Sequence, residues 1–103
     1  MELNKENKME LNETVRLMRS NDYKERFVAE YWQLKNRVER LKELLIKIEA
    51  VDLVPVRGNT ILEMPAHECP VNLLTQQFRH MLDYLHVLEV RAEIECIDLK
   101  KGV

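Results

Sequence analysis

Two heptad repeats constrain the fold of this chain more than any other feature of its sequence. Apolar residues recur at alternating intervals of four and three, first between residues 27 and 48 and again between residues 71 and 92. Residues at this spacing lie along one side of an α-helix and form a seam against a neighbouring helix. The first seam comprises Phe27, Tyr31, Leu34, Val38, Leu41, Leu45 and Ile48, and the second comprises Val71, Leu74, Phe78, Met81, Leu85, Leu88 and Ala92.

The ends of the two helices are marked by capping residues and prolines. Asp22 with Glu25 three residues later resembles a capping box, and Pro55 lies beyond the first seam. Pro70 suits the first position of the second helix, where its missing N–H leaves no bond unmade. These signals predict long helices over 22–50 and 70–98, and their similar lengths favour an antiparallel hairpin.

A third, shorter helix is predicted before the hairpin. Leu11, Val15 and Met18 fall on one face of a helix over about residues 9–20. A helix this short is marginal alone, so we expect it to dock on the hairpin or on another subunit.

The connection over 51–69 is longer than a helical hairpin needs. Gly58-Asn59 is a turn signal between two apolar runs, so a small β-hairpin is an alternative to an irregular loop there. The sequence therefore predicts a single all-α domain over residues 1–103, consisting of a short N-terminal helix and a long antiparallel two-helix hairpin.

Composition agrees with this fold and limits the partners. Charged residues make up 33% of the chain, and there are only two glycines and three prolines, as is typical of amphipathic helices. The formal net charge of −2 argues against binding to a nucleic-acid polymer. No apolar run is long enough to span a membrane and the first ten residues, MELNKENKME, are too polar for a signal peptide. We therefore expect a cytoplasmic protein with no membrane partner, in which Cys69 and Cys96 are free thiols.

No motif in the sequence indicates catalysis. The histidines and cysteines lack zinc-ligand spacing, no glycine-rich phosphate loop is present, and the carboxylates are scattered over helix faces. We expect a protein that is not an enzyme and that has no catalytic residues, no metal site and no cofactor.

The second long helix has more apolar residues than one seam uses. The additional residues are Tyr84, Val87, Val90, Ile94 and Ile97. A hairpin needs one apolar stripe per helix, so this excess predicts that further helices pack on it. We expect a homo-oligomeric helical bundle.

Four of the six aromatic residues, with three cations, fall within residues 23–35. Phe27 and Tyr31 belong to the first seam. The seam does not account for the other members, which are Tyr23, Lys24, Arg26, Trp32 and Lys35. Aromatic rings stack on nucleobases and cations neutralise phosphates, so these five are candidate ligand-binding residues. The alternative is that the cations snorkel along a solvated helix face.

Two segments, SNDYKERFVAEYWQLKNRVERL and CPVNLLTQQFRHMLDYLHVLEVRAEIECIDL, carry a resemblance to known proteins. They resemble a family of small bacteriophage proteins of the crAss-phage-related type, and the likeness covers residues 20–99 except the connection. The order of helices is also similar to that of the phage sponge proteins of the anti-CBASS and anti-Thoeris kind. Those oligomers sequester cyclic nucleotide or cyclic ADP-ribose signals of bacterial immunity at subunit contacts.

The resemblance implies a phage-encoded, non-enzymatic sponge that acts in the host cytoplasm. Its ligand would be a cyclic nucleotide or a related signalling nucleotide. The alternative function is a helical protein–protein interaction module that binds a host or phage protein through its spare apolar faces.

Overall fold

The structure, a computed structural model, describes residues 8–100 and places most of them in helices. Its elements in chain order are a 3₁₀ turn (Leu11–Glu13), helix α1 (Thr14–Met18), helix α2 (Tyr23–Leu53), strand β1 (Val56–Arg57), strand β2 (Thr60–Ile61) and helix α3 (Val71–Glu95). The predominantly helical fold predicted from the heptads is confirmed. Residues 1–7 and 101–103 of the predicted domain lie outside the described part of the chain.

Helix α2 begins at a cap that uses one more residue than the sequence pattern indicates. The Asp22 carboxylate accepts the backbone N–H of Lys24 at 2.9 Å. Glu25 does not return to the backbone N–H of Asp22. That N–H donates at 3.0 Å to the hydroxyl of Ser20, which in turn donates to Glu25. Ser20 thus links the two residues of the predicted capping box.

The two long helices run antiparallel, because the start of α2 contacts the end of α3. The Tyr23 hydroxyl donates to Glu95 at 2.9 Å, and the Tyr31 hydroxyl donates to Glu89 at 3.4 Å. The two heptad seams meet in a buried apolar core that extends beyond these polar contacts towards the middle of both helices. Its buried seam residues are Phe27, Tyr31, Leu34 and Val38 of α2 and Leu85, Leu88 and Ala92 of α3.

A third layer covers the side of α2 that faces away from α3 near its start. Met9 and Leu17 are buried in the core, and so is Thr14. The amide of Asn36, itself buried, donates to the Met9 carbonyl at 2.8 Å and to the Trp32 carbonyl at 2.7 Å. These contacts hold the N-terminal segment on the hairpin through Met9, Thr14 and Leu17, and this burial compensates for the shortness of α1. The docking of the segment was predicted correctly but its buried face was not, because Val15 and Met18 of the predicted face stay 45% and 49% exposed.

Helix α3 ends at Glu95, before the predicted boundary of residue 98, because the chain reverses there. Cys96 adopts a left-handed conformation with φ of 57°, and the N–H groups of Cys96 and Ile97 both bond to the Ala92 carbonyl. This is the pattern of a left-handed helix cap, here without the usual glycine. The reversal sends Ile97 into the core and brings Leu99 against it.

The connection contains a two-stranded antiparallel sheet, so the all-α prediction needs correction. Val56 pairs with Ile61 and Arg57 pairs with Thr60. Gly58 takes φ of 60°, which a residue without a Cβ adopts at no steric cost. The short β-hairpin that the turn signal allowed is therefore the structure of this segment.

Titration of Tyr31 should make stability depend on pH. Burial, together with the Glu89 carboxylate, raises the pKa of Tyr31 from 10.0 to about 12. Because the phenol ionises at lower pH in the unfolded chain, its contribution to stability is complete below about pH 10 and is lost as pH rises towards about 12. Urea unfolding from pH 9 to 12 should show a steeper loss of stability for the natural chain than for Tyr31→Phe. Parallel pH profiles would contradict this assignment.

Candidate functional site

A groove lies where α1, the start of α2 and the residues after α3 meet. Its volume is about 480 Å³, within the range of sites for small molecules. Its apolar lining is Leu17, Val28 and Ile97, and its polar and charged lining is Arg16, Asp22, Lys24, Glu25, Cys96 and Asp98. We call this cavity the Arg16–Lys24 groove after its two cations.

The groove exists because three separate parts of the chain converge there. Arg16 is in the last turn of α1, and Lys24 is in the first turn of α2. The third wall follows the reversal at Cys96, which turns the chain back towards the start of α2. α1 and the start of α2 follow one another in the sequence, whereas the residues after α3 come from the other end of the described chain, so the groove forms only when the hairpin folds.

The two cations of the groove are available to a ligand. Within residues 8–100, neither Arg16 nor Lys24 forms a salt bridge, and both side chains are exposed. Two nearby carboxylates already accept hydrogen bonds at the helix cap, Asp22 from the backbone of Lys24 and Glu25 from Ser20. The groove therefore offers two cations without a salt bridge in that part of the chain, beside three carboxylates, Asp22, Glu25 and Asp98, that retain acceptor capacity.

The five candidate residues predicted from the sequence do not converge on one site. Lys24 lines the groove. Arg26 is exposed and donates to the Ser20 carbonyl at 2.8 Å, and Lys35 is half-buried without a salt bridge within the described residues. Tyr23 belongs to a separate cluster with α3.

Trp32 lies in the core, where its ring is enclosed by protein. It is 5% exposed, and its indole N–H donates to the Leu99 carbonyl at 2.6 Å. It also packs edge-on against Tyr31, with ring centroids 5.1 Å apart. The sequence favours Trp32 as a ligand-binding residue because Trp32 lies off the heptad seam. The N-terminal segment and the reversed C-terminal segment supply the packing that the seam does not.

Tyr23 forms an exposed cluster with three residues of the hairpin. Its hydroxyl bonds to both Arg91 and Glu95, and Arg91 donates from Nε to Glu95 at 3.0 Å. The guanidinium of Arg91 also lies over the Phe27 ring, with Cζ 5.0 Å from the centroid. The hydrogen bond from Tyr23 lowers the pKa of Glu95 and raises the pKa of Tyr23, and the bond from Arg91 to Glu95 raises the pKa of Arg91. The polar groups of Tyr23, Arg91 and Glu95 hydrogen-bond to one another and join the start of α2 to the end of α3, and we call this cluster the clasp between helices.

The sequence gives no indication of two residues that line the groove, Arg16 and Cys96. Arg16 follows the apolar Val15 in a short amphipathic pattern that gives no reason to single it out. Cys96 gives no sign of a left-handed turn, because that conformation is usually signalled by glycine or asparagine.

Comparison with protein families gives a match over the two long helices. The model of the family described as Sequestin matches residues 21–94. That span is more than half of the 103-residue chain. The chain belongs to the Sequestin family. The span covers all of α2, including Lys24, and almost all of α3, whereas Arg16 and Cys96 lie outside it.

The Sequestin name itself indicates a sequestering function and leaves the sequestered partner open. No curated protein and no solved structure matches the chain. Within residues 8–100, no helix is long and apolar enough to cross a membrane. The same residues contain no group of three or more His, Cys, Asp or Glu side chains that could hold a metal ion.

Proposed function

We propose that this Sequestin is a phage-encoded, non-enzymatic sponge that binds a cyclic or related signalling nucleotide in the Arg16–Lys24 groove. By holding the nucleotide in the host cytoplasm, it keeps the signal from the immune effector that responds to it. The observation that carries this proposal is a groove of about 480 Å³ whose lining combines apolar residues with two cations that form no salt bridge within residues 8–100. The family name supports sequestration as the type of activity.

The groove lining matches the chemistry of a nucleotide. The guanidinium of Arg16 suits bidentate contact with a phosphate, and Lys24 adds a point charge at the start of α2, where the helix dipole also favours an anion. The carboxylates of Glu25 and Asp98 accept hydrogen bonds from base N–H groups. Leu17, Val28 and Ile97, which are only 5–8% exposed, form the apolar wall that the base and the ribose would contact. A mixed rim of this kind selects a nucleotide over a bare phosphate.

The ligand proposal is tested by calorimetric titration of the full chain. The panel comprises cyclic dinucleotides, cyclic trinucleotides and cyclic ADP-ribose isomers. We expect at least one to bind with a dissociation constant below about 1 μM, equivalent to about −8 kcal/mol. Mass spectrometry of the ligand released by denaturation should return it unchanged. Binding no tighter than micromolar across the panel would refute the sponge, and conversion of the ligand would refute its non-enzymatic character.

A protein–protein interaction module is the second candidate, and the connection favours it. Leu53 and Ile61 are 73% and 74% exposed, and Val54 and Val56 beside them are also exposed. Apolar side chains this exposed are typical of a surface that a partner covers. Pull-down from host lysate with the natural chain and with the Leu53→Ser, Ile61→Ser double variant tests this candidate. A stoichiometric protein partner lost only in that variant would favour it over the sponge.

We also propose that the working unit is a homo-oligomer. The apolar residues predicted to lie outside the second seam support this, because four of them stay exposed on α3 while only Ile97 is buried. The exposed four are Tyr84, Val87, Val90 and Ile94.

A further inference from the structure

The outer face of α3 carries a second heptad-spaced row of residues. Leu73, His80, Val87 and Ile94 follow one another at intervals of seven, and Tyr84 flanks this row. At 100° per residue the row lies well over a quarter turn away from the buried seam of Leu85, Leu88 and Ala92. Helix α3 therefore has one side in the hairpin core and another that could pack on a further helix.

The row is exposed in the single chain. Its apolar members and the two apolar neighbours, Tyr84 and Val90, are between 44% and 75% exposed. Together these five side chains expose on the order of 500 Å² of surface, towards the upper end of the largest patch on a typical monomer. A dimer interface of standard size buries about 800 Å² per partner, so these five side chains would supply more than half of one partner's share and the polar residues beside them would supply the rest. We call it the α3 outer face.

We infer that the α3 outer face packs against the same face of a second copy, with the two α3 helices antiparallel. With Tyr84 between His80 and Val87, the row follows the alternating spacing of four and three by which one helix packs lengthwise on another, and the polar Gln77 and Arg91 occupy the remaining positions. A two-fold axis near Tyr84 places Leu73 opposite Ile94 of the second copy and His80 opposite Val87. Both ends of the interface are then closed by an aliphatic pair.

Charge favours the antiparallel arrangement over the parallel one. The C-terminal half of α3 carries Glu89, Glu93 and Glu95 against Arg91, whereas the N-terminal half carries Arg79 and Asp83. A parallel dimer would bring two acidic halves together. An antiparallel dimer places each acidic half beside a half without net charge and so avoids that repulsion.

The antiparallel dimer also affects the ligand site. Cys96, in the wall of the Arg16–Lys24 groove, would lie opposite Val71 at the start of the second copy's α3. Each groove would therefore have the N-terminus of a helix from the other copy beside it. The inference rests on the oligomeric part of the proposed function and is independent of which ligand is bound.

The dimer is tested by light scattering of the full chain after size exclusion, over a concentration series. We expect twice the chain mass of 12.3 kDa for the natural chain and the monomer mass for Val87→Asp, with unchanged helical circular dichroism. Ile46→Asp is the matched control, because Ile46 is similarly exposed but lies on α2, and it should stay dimeric. A monomeric natural chain, or a dimer that survives Val87→Asp, overturns the inference.

Cysteine cross-linking tests the orientation. On a background in which Cys69 and Cys96 are serine, Leu73→Cys and Ile94→Cys chains are oxidised separately and as a mixture. Antiparallel packing predicts a disulfide-linked dimer mainly in the mixture, whereas efficient self-linking of either variant would indicate parallel packing and overturn the inference. Because neither readout uses a ligand, a failed dimer is distinguishable from a failed nucleotide titration.

Discussion

Replacing Trp32 with alanine should lower the free energy of unfolding by about 3–5 kcal/mol. The side chain is buried beneath the N-terminal segment and the residues after α3, so truncation leaves a cavity where three parts of the chain meet. It also removes the N–H that donates to the Leu99 carbonyl. The measurement is the midpoint and slope of urea unfolding, followed by far-ultraviolet circular dichroism.

Two further variants, Trp32→Phe and Tyr23→Ala, distinguish the loss of core packing at Trp32 from the loss of its hydrogen bond and from the loss of an exposed ring. Trp32→Phe keeps an aromatic ring and loses the N–H donor, so it should cost clearly less than the alanine variant. Tyr23→Ala removes an exposed aromatic ring from the same helix and should cost about 1 kcal/mol or less, because little apolar surface leaves the core. Equal losses for Trp32→Ala and Tyr23→Ala would mean that Trp32 is not enclosed as the structure places it.

The heptads predicted the helical hairpin because its packing is local and periodic. Phe27, Tyr31 and Leu34 are buried where their spacing places them. The same periodicity failed for Val28 and Trp32, which lie off the seam and are nevertheless buried. Their burial depends on a layer from outside the hairpin, and a heptad describes only the contact of one helix with one neighbour.

The groove was less predictable than the fold because it depends on the paths of the terminal segments. Lys24 was identified by its position beside aromatic residues, yet it meets Arg16 only because α1 docks across α2. The third wall requires the left-handed turn at Cys96, a conformation that sequence propensity assigns to glycine or asparagine. The fold therefore divides the five candidate residues of the 23–35 stretch: Trp32 lies in the core, Lys24 in the groove and Tyr23 in the clasp between helices, whereas Arg26 and Lys35 lie in none of these.

The same third layer that buries Trp32 builds the groove. Leu17 and Ile97 each have one side in the core and line the cavity. Loss of core packing and loss of ligand binding should therefore be linked for substitutions at these apolar positions. Substitution of the exposed cations Arg16 and Lys24 leaves the core packing intact, so it is the cleaner test of ligand binding in the groove.

Removing both rim cations, as Arg16→Ala with Lys24→Ala, should weaken nucleotide binding about 100-fold or more while leaving the urea midpoint nearly unchanged. A hydrogen bond to a charged partner contributes about 1.5–3 kcal/mol, and the pair would lose two such contacts with phosphate.

The matched control is Arg37→Ala with Lys47→Ala, which removes the same charges from exposed positions of α2 outside the groove. Calorimetric titration at two salt concentrations separates local contact from the general loss of positive charge, because only the general effect should be shared by the control. If both double variants weaken binding equally, the nucleotide does not occupy the Arg16–Lys24 groove.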